Sequence, residues 1–242
     1  MKVLRAVHTT YGVIVFSILF LFFFFLLLIP IFFPSQFRFV GIFNRWWARL
    51  LFFLIGIRYT IKYRSALDPT AQYIFCPNHF SYLDIPAMGL NHHNAIFVGK
   101  SSMQKIPFFG FMYSKLHITV DRNKLKSRYS TMMRAFQALD EGKSLVIFPE
   151  GGIVTEHDPF MGTFKNGAFR ASIEKQIPIV PVTIPYNWII LPVDEFLLTW
   201  RPMELIFHEP MDPAAYTMKD IERYKQDVRV IIEKELKKFS KE

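Results

Sequence analysis

The stretch CPNHFSYLDIP, residues 76–86, sets a histidine and an aspartate five positions apart, with small and aromatic residues between them and a proline just behind. A carboxylate bonded to one ring nitrogen of His79 would fix the imidazole tautomer and raise the basicity of the other nitrogen. Such a pair is a general base that needs no protein nucleophile, and its chemistry is deprotonation of a bound hydroxyl. On a continuous helix this offset turns a side chain about 140° away, so His79 and Asp84 would not meet. The run YIFCP is β-rich and Pro77 ends it, which places His79 in a loop that can fold back onto Asp84. A plainer structural role fits the same residues: Ser81 or Asp84 caps a helix beginning near Ile85, with Pro86 in its first turn, and the histidine is half exposed.

Other chemistries are poorly served. His92 and His93 are adjacent, so they point opposite ways on most backbones, and no second carboxylate cluster accompanies them; no metal site is expected. Ser81 lies between His79 and Asp84, yet the GxSxG elbow of serine hydrolases is missing from the chain. Cys76, the only cysteine, ends an apolar strand and is expected to be buried and inert. A single thiol also excludes an internal disulfide and a multi-cysteine zinc site, and it suits a reducing cytoplasm.

The elements that must position these residues emerge from the pattern after Arg64. Short β-rich runs recur, YIFCP, AIFVG, HITV, SLVIFP, IPIVPVTIP and ELIFHEP, and helix-compatible stretches at 127–141, 165–176 and 219–238 separate them. This alternation predicts an α/β fold, a mostly parallel or mixed sheet flanked by helices, with function in loops at strand ends. The last helix gathers Ile221, Tyr224, Val228, Ile232 and Leu236 on one side, so one face covers the sheet. Residues 59–242 read as a single domain.

The N-terminus has a different character. Residues 13–29 carry no charge and one polar side chain, Ser17. As a helix they would extend about 25 Å, the short end of a transmembrane span. Pro30 and Pro34 break or kink the segment, which leaves a full crossing and a re-entrant hairpin both open. Lys2 and Arg5 resemble a signal-peptide start, but the apolar stretch is too long and lacks a small-x-small cleavage site, so it is expected to be retained. Arg38, Arg45 and Arg49 then favour a cytoplasmic placement of the remaining chain. WWARLLFFLIGI, residues 46–57, is too short to span and reads as a helix lying in the membrane interface, with an internal core helix as the alternative. Residues 1–58 are therefore expected to anchor the chain to the bilayer as a membrane-embedded helical segment. The formal net charge is +9 among 242 residues that include 27 phenylalanines. Basic residues close behind an apolar block suit anionic headgroups better than nucleic acid, and no nucleic-acid partner is expected.

Four further stretches accompany the first. FPEG at 148–151 comes directly after the run SLVI, FKNGAF at 164–169 opens the next helix, VDR at 120–122 ends a strand, and VPVTI at 180–184 lies inside another. Together with the first, and in the order they take along the chain, they resemble the 1-acylglycerol-3-phosphate acyltransferase (glycerolipid acyltransferase) family. Its NHxxxxD motif is met by Asn78, His79 and Asp84, its second motif by Val120, Asp121 and Arg122, its third by Phe148, Pro149, Glu150 and Gly151, and its fourth by Val180, Pro181 and Val182. GKSSMQKIPFFG, residues 99–110, is similar to the family's linker between the first two motifs, and the resemblance runs over residues 73–216.

The resemblance implies acyl transfer from acyl-CoA or acyl carrier protein to the free hydroxyl of 1-acylglycerol-3-phosphate (lysophosphatidic acid), giving phosphatidic acid. It implies His79 as base and Asp84 as its orienter, a bilayer-bound enzyme, and no metal or other cofactor. Asn78, Arg122, Glu150, Gly151, Lys165 and Lys100 are then the candidate substrate-binding residues, with Glu150 also suited to ordering its own turn through backbone N–H groups. The chain departs from the family where FPEG is usually followed by threonine and arginine; Gly152 and Ile153 stand there. A bidentate cation is thus missing where a phosphate would want one, and Arg122, Lys165, Arg170 and Lys100 are left to supply the charge. Leu116 and Thr119 also depart from the second motif. A lysolipid with an amino-acid headgroup is the alternative acceptor, and a non-enzymatic lipid-binding protein the alternative class.

Overall fold

The structure, a computed structural model, describes residues 2–121, 124–153 and 160–239. Its centre is set by strands whose side chains are buried on both faces, as expected where helices cover both sides of a parallel sheet. In β2 (Ile74–Pro77) and β6 (Ile179–Thr183) every residue is buried. Five more strands complete the sheet: β1 (Tyr59–Tyr63), β3 (Ala95–Lys100), β4 (Ile118–Val120), β5 (Ser144–Ile147) and β7 (Met203–Phe207). Their order is β1-β7-β6-β2-β5-β3-β4. Strands β6, β2, β5, β3 and β4 run parallel, β7 turns antiparallel to β6, and β1 joins β7 in parallel. The sheet is mixed, and six of its strands fall on the β-rich runs seen in the sequence. β1 was not among them, because only alternate residues of Tyr59–Tyr63 are withdrawn from solvent.

The period of two separates two cores. Phe75, Val146, Val180 and Val182 face one side with Ala48, Leu51 and Phe52 of α2 (Arg38–Leu54) and Ala87 and Met88 of α3 (Asp84–Gly89). Ile74, Cys76, Leu145 and Ile179 face the other, beneath α5 (Leu125–Asp140), α6 (Gly167–Lys175) and α8 (Ile221–Phe239). Tyr224, Val228 and Ile232 of α8 are fully buried there, as the final helix's apolar side predicts.

At the N-terminus, α1 runs from Lys2–Phe32, through Pro30. Pro30 removes one N–H near the helix end, and Phe33 N still reaches Ile29 O at 2.8 Å, so the helix is not broken there. α1 packs along α2 and against α4 (Phe109–Leu116), where Phe24, Leu27, Val40, Met112 and Leu116 form a third cluster. α2 begins eight residues before the Trp46 block, and its two faces differ: Ala48, Leu51 and Phe52 join the core, whereas Trp46 and Phe53 are exposed. The N-terminal end of α1 is tied to the loop before β7. Arg5 donates to Leu197 O and Leu198 O and pairs with Glu195, while His8 stacks on Trp200 at 4.0 Å and bonds Ile55 O at 2.8 Å.

Candidate active site

β2 ends at Pro77, and the next two residues are fixed by strongly bonded neighbours. Asn78 is fully buried, and its amide bridges to β6: Nδ2 donates to Ile184 O at 3.0 Å and Oδ1 accepts from Ile184 N at 2.7 Å. The backbone N–H of His79 donates to Glu150 Oε1 at 2.7 Å. The loop then folds back as the short spacing allowed, and His79 Nδ1 meets Asp84 Oδ2 at 3.0 Å. Phe80 N and Ser81 N donate to the same oxygen at 2.7 and 2.9 Å. These bonds explain why Asp84 does not cap α3. Its carboxylate turns to the preceding loop, Leu83 occupies the cap position without a side-chain bond, and Ser81 Oγ instead donates to Leu191 O while accepting from Leu83 N.

The second oxygen of Asp84 brings in a residue that no sequence motif marks. Asn187 Nδ2, in the first turn of α7 (Asn187–Ile190), donates to Asp84 Oδ1 at 2.9 Å, and both residues are fully buried. Asn187 sits in the apolar run YNWIIL, where an amide is out of pattern; that mismatch was the available signal. A buried polar side chain needs a partner, and here it has one in a carboxylate. The imidazole of His79 is covered on one face by the Phe148 ring, stacked at 4.0 Å and 25°. Its side chain keeps 12 % exposure, and Asp84 occupies Nδ1.

Glu150 orders the loop beneath. Oε1 holds His79 N and Oε2 holds Gly162 N at 2.7 Å, which ties the dyad loop to the segment after FPEG. Burial pushes the Glu150 carboxyl up to about 7, although both N–H bonds favour its charged form. Arg229 of α8 fixes the same segment by donating to Met161 O and Gly162 O. Gly151 adopts φ +77°, a conformation that favours glycine, and the aliphatic chain of Lys165 passes over it. Lys165 is exposed, its own N–H bonded to Pro149 O.

The structure thus brings together Asn78, His79, Asp84, Glu150, Gly151 and Lys165. Lys100 ends β3, exposed and in register with Val120 of β4, and β5 separates that strand from β2. Arg122 lies outside the described residues. Among the described residues no three His, Cys, Asp or Glu side chains group as a metal site. Cys76 is buried, and desolvation drives its thiol pKa upward.

A family model described as Acyltransferase matches residues 58–185. The chain is 28 % identical over 140 residues to the chloroplastic 1-acyl-sn-glycerol-3-phosphate acyltransferase BAT2 of Brassica napus, covering 57 % of this chain and 40 % of that one. It thus spans about two fifths of the length of that plant relative. With the 1-acyl-sn-glycerol-3-phosphate acyltransferase of Haemophilus influenzae it shares 27 % identity over 197 residues, 78 % of this chain and 79 % of the relative. The Escherichia coli protein of the same name is 24 % identical over 215 residues, 88 % and 86 % of the two chains. The crystal structure of the 1-acyl-sn-glycerophosphate (LPA) acyltransferase PlsC from Thermotoga maritima superposes with a TM-score of 0.84 at 19 % identity, covering 99 % of this chain and 98 % of that one; the fold is shared.

Proposed function

Because the chain belongs to the acyltransferase family, we propose that it moves an acyl chain from a thioester donor, acyl-CoA or acyl carrier protein, to the free hydroxyl of 1-acylglycerol-3-phosphate. The observation that carries this reading is the contact of His79 Nδ1 with a fully buried Asp84 that is itself held by three further donors. A carboxylate only accepts, so Nδ1 carries the proton and Nε2 presents its lone pair. Nε2 takes the proton of the acceptor hydroxyl as the oxygen attacks the thioester carbonyl carbon. The tetrahedral intermediate collapses, the carbon–sulfur bond breaks, and the departing thiolate receives the proton from Nε2. Asn187, Phe80 N and Ser81 N keep the carboxylate from turning away from the ring. Glu150 holds the His79 backbone from below, and Asn78 joins the ends of β2 and β6.

The acceptor phosphate needs a fixed cation in place of the arginine that Gly152 and Ile153 replace; Arg122 fills that role first, with Lys165 and Lys100 in support. α1 is long and apolar enough to cross a membrane, and its outward side chains are largely aromatic and aliphatic. It anchors the enzyme to the bilayer where both lipids reside, with the catalytic domain on the cytoplasmic face. One experiment tests the reading. Purified enzyme in detergent, given acyl-CoA and a panel of lysolipids, should yield phosphatidic acid from lysophosphatidic acid by mass spectrometry. Activity on another lysolipid alone, such as one with an amino-acid headgroup, would move the acceptor assignment and leave acyl transfer standing.

A further inference from the structure

Charge is distributed very unevenly along this chain. Residues 99–139 contain eight Lys and Arg and one acidic residue, so they hold a net +7 of the molecule's +9. The same stretch exposes large apolar side chains. On α5, Leu125, Tyr129 and Met133 recur every fourth residue, with Leu125 at 74 % and Tyr129 at 68 % exposure, while Thr131, Ala135, Ala138 and Leu139 take the buried side. Lys124, Lys126 and Arg128 are exposed within the same two turns. Next to β4, Ile106, Phe108 and Phe111 are exposed beside the exposed Lys105.

We propose that the face made by the 3-10 turn Ser101–Lys105, α4 and α5 docks on the surface of an anionic bilayer, as a second lipid contact beyond α1. Interleaved cations and half-exposed aromatics match a headgroup layer, where ammonium and guanidinium groups meet lipid phosphates and the rings enter the acyl boundary. The surface is also continuous with the anchor: the rings of Phe108 and Phe111 meet Phe24 of α1 at 5.6 and 6.4 Å. α5 comes directly after β4, so it stands over the same sheet edge, with Thr131 Oγ1 bonded to Thr119 O at 3.0 Å. A bilayer that receives α1 therefore meets α4 without a change of orientation, and this favours lipid over an acidic protein partner. The proposal rests on α1 as the membrane anchor, and its lipid preference is for negatively charged headgroups.

The test uses the full chain, with an environment-sensitive fluorophore placed by Tyr129→Cys on α5, by Phe25→Cys on α1 or by Lys219→Cys in the 3-10 turn just before α8. Native Cys76 is buried and stays unlabelled. Each protein is reconstituted into phosphatidylcholine vesicles with and without phosphatidylglycerol. The label at 129 should shift to the blue and be quenched by nitroxide lipids in the anionic vesicles, much less in the neutral ones. Lys124→Glu, Lys126→Glu and Arg128→Glu together should abolish that shift while the label at 25 stays in lipid. The label at 219 should remain aqueous throughout. A label at 129 that stays aqueous in anionic vesicles while 25 is in lipid overturns the proposal and leaves the anchor intact. If 25 is aqueous too, the anchor fails and the proposal with it. A shift at 129 that appears only on adding acyl carrier protein also overturns the proposal and assigns the face to that carrier.

Discussion

The amide of Asn187 donates to Oδ1 of Asp84 at 2.9 Å across 103 residues of chain, closing a ring of four donors around a buried carboxylate whose other oxygen faces His79. In the proposed mechanism Asn187 touches no reacting atom, so its role there is that of a positioning residue. Its loss should lower kcat and leave both substrate KM values within about twofold. A hydrogen bond to a charged group contributes about 1.5–3 kcal/mol, which places Asn187→Ala at roughly 10- to 150-fold slower turnover. Asn187→Asp should be worse, because two carboxylates would share one dry site. Steady-state kinetics on folded variants decide it; a change confined to KM would remove the positioning role.

If His79 takes the hydroxyl proton as proposed, His79→Ala should lower kcat by about 10²–10⁴-fold. Asp84→Asn should be nearly as harmful. An amide there would present its own N–H to the loop donors or to the ring, and the wrong imidazole tautomer would be favoured. Near-normal turnover by either variant, with an unchanged melting profile, would show that the roles are misassigned.

Glu150 supplies a pH signature. Burial raises its carboxyl from an ordinary 4.5 to about 7. A carboxyl raised in the folded state contributes stability that is complete below about 4.5 and is lost as pH climbs through about 7. Wild type should therefore lose up to roughly 3 kcal/mol from this group between those limits, a loss that Glu150→Gln does not share. The amide introduced by that substitution would set an N–H against one of two backbone donors, so the variant should be the less stable protein at pH 5. Melts in one detergent at pH 5 and pH 8 should show that deficit narrowing with pH, and a widening deficit would contradict the burial argument.

The acceptor site can be read from KM values. If the phosphate of lysophosphatidic acid is held by Arg122 and Lys165, Arg122→Ala should raise the acceptor KM by roughly 10- to 150-fold, and Lys165→Ala by less, with the donor KM little changed. Restoring the family's cation through Ile153→Arg should recover part of the loss in the Arg122→Ala background. A rise confined to the donor KM would place these cations on the donor instead.

Much of this protein is legible locally. The strand runs are marked by apolar, β-branched residues between turn residues, and Pro77 and the FPEG turn mark where β2 and β5 stop, so the His79 loop and the FPEG turn were assignable to strand ends without any contact in view. The long apolar helix was equally plain, because a charge-free stretch of that length is rare outside membranes and cores. β1 escaped because an edge strand needs only half its side chains covered, and its pattern carries little apolar signal.

Tertiary structure decided the relationships that depend on the sheet order. Asn187 reaches Asp84, Asn78 bridges to Ile184, and Glu150 supports His79 because β6 and β5 lie on either side of β2. Strand order is set by non-local packing and by the handedness of crossovers, and no window of sequence contains it. The fate of α2 has the same origin. Its composition suits a membrane surface, and only the tertiary packing that joins Ala48, Leu51 and Phe52 to one cluster with Phe75, Ala87 and Val146 makes them core residues. The sequence by itself therefore marked His79 and Asp84 as the candidate base and its orienter, and it placed six of the seven strands and the long apolar helix. The fold decided which distant side chains hold them in place, since a buried carboxylate takes its partners from whatever strand and helix ends the sheet brings within hydrogen-bond reach.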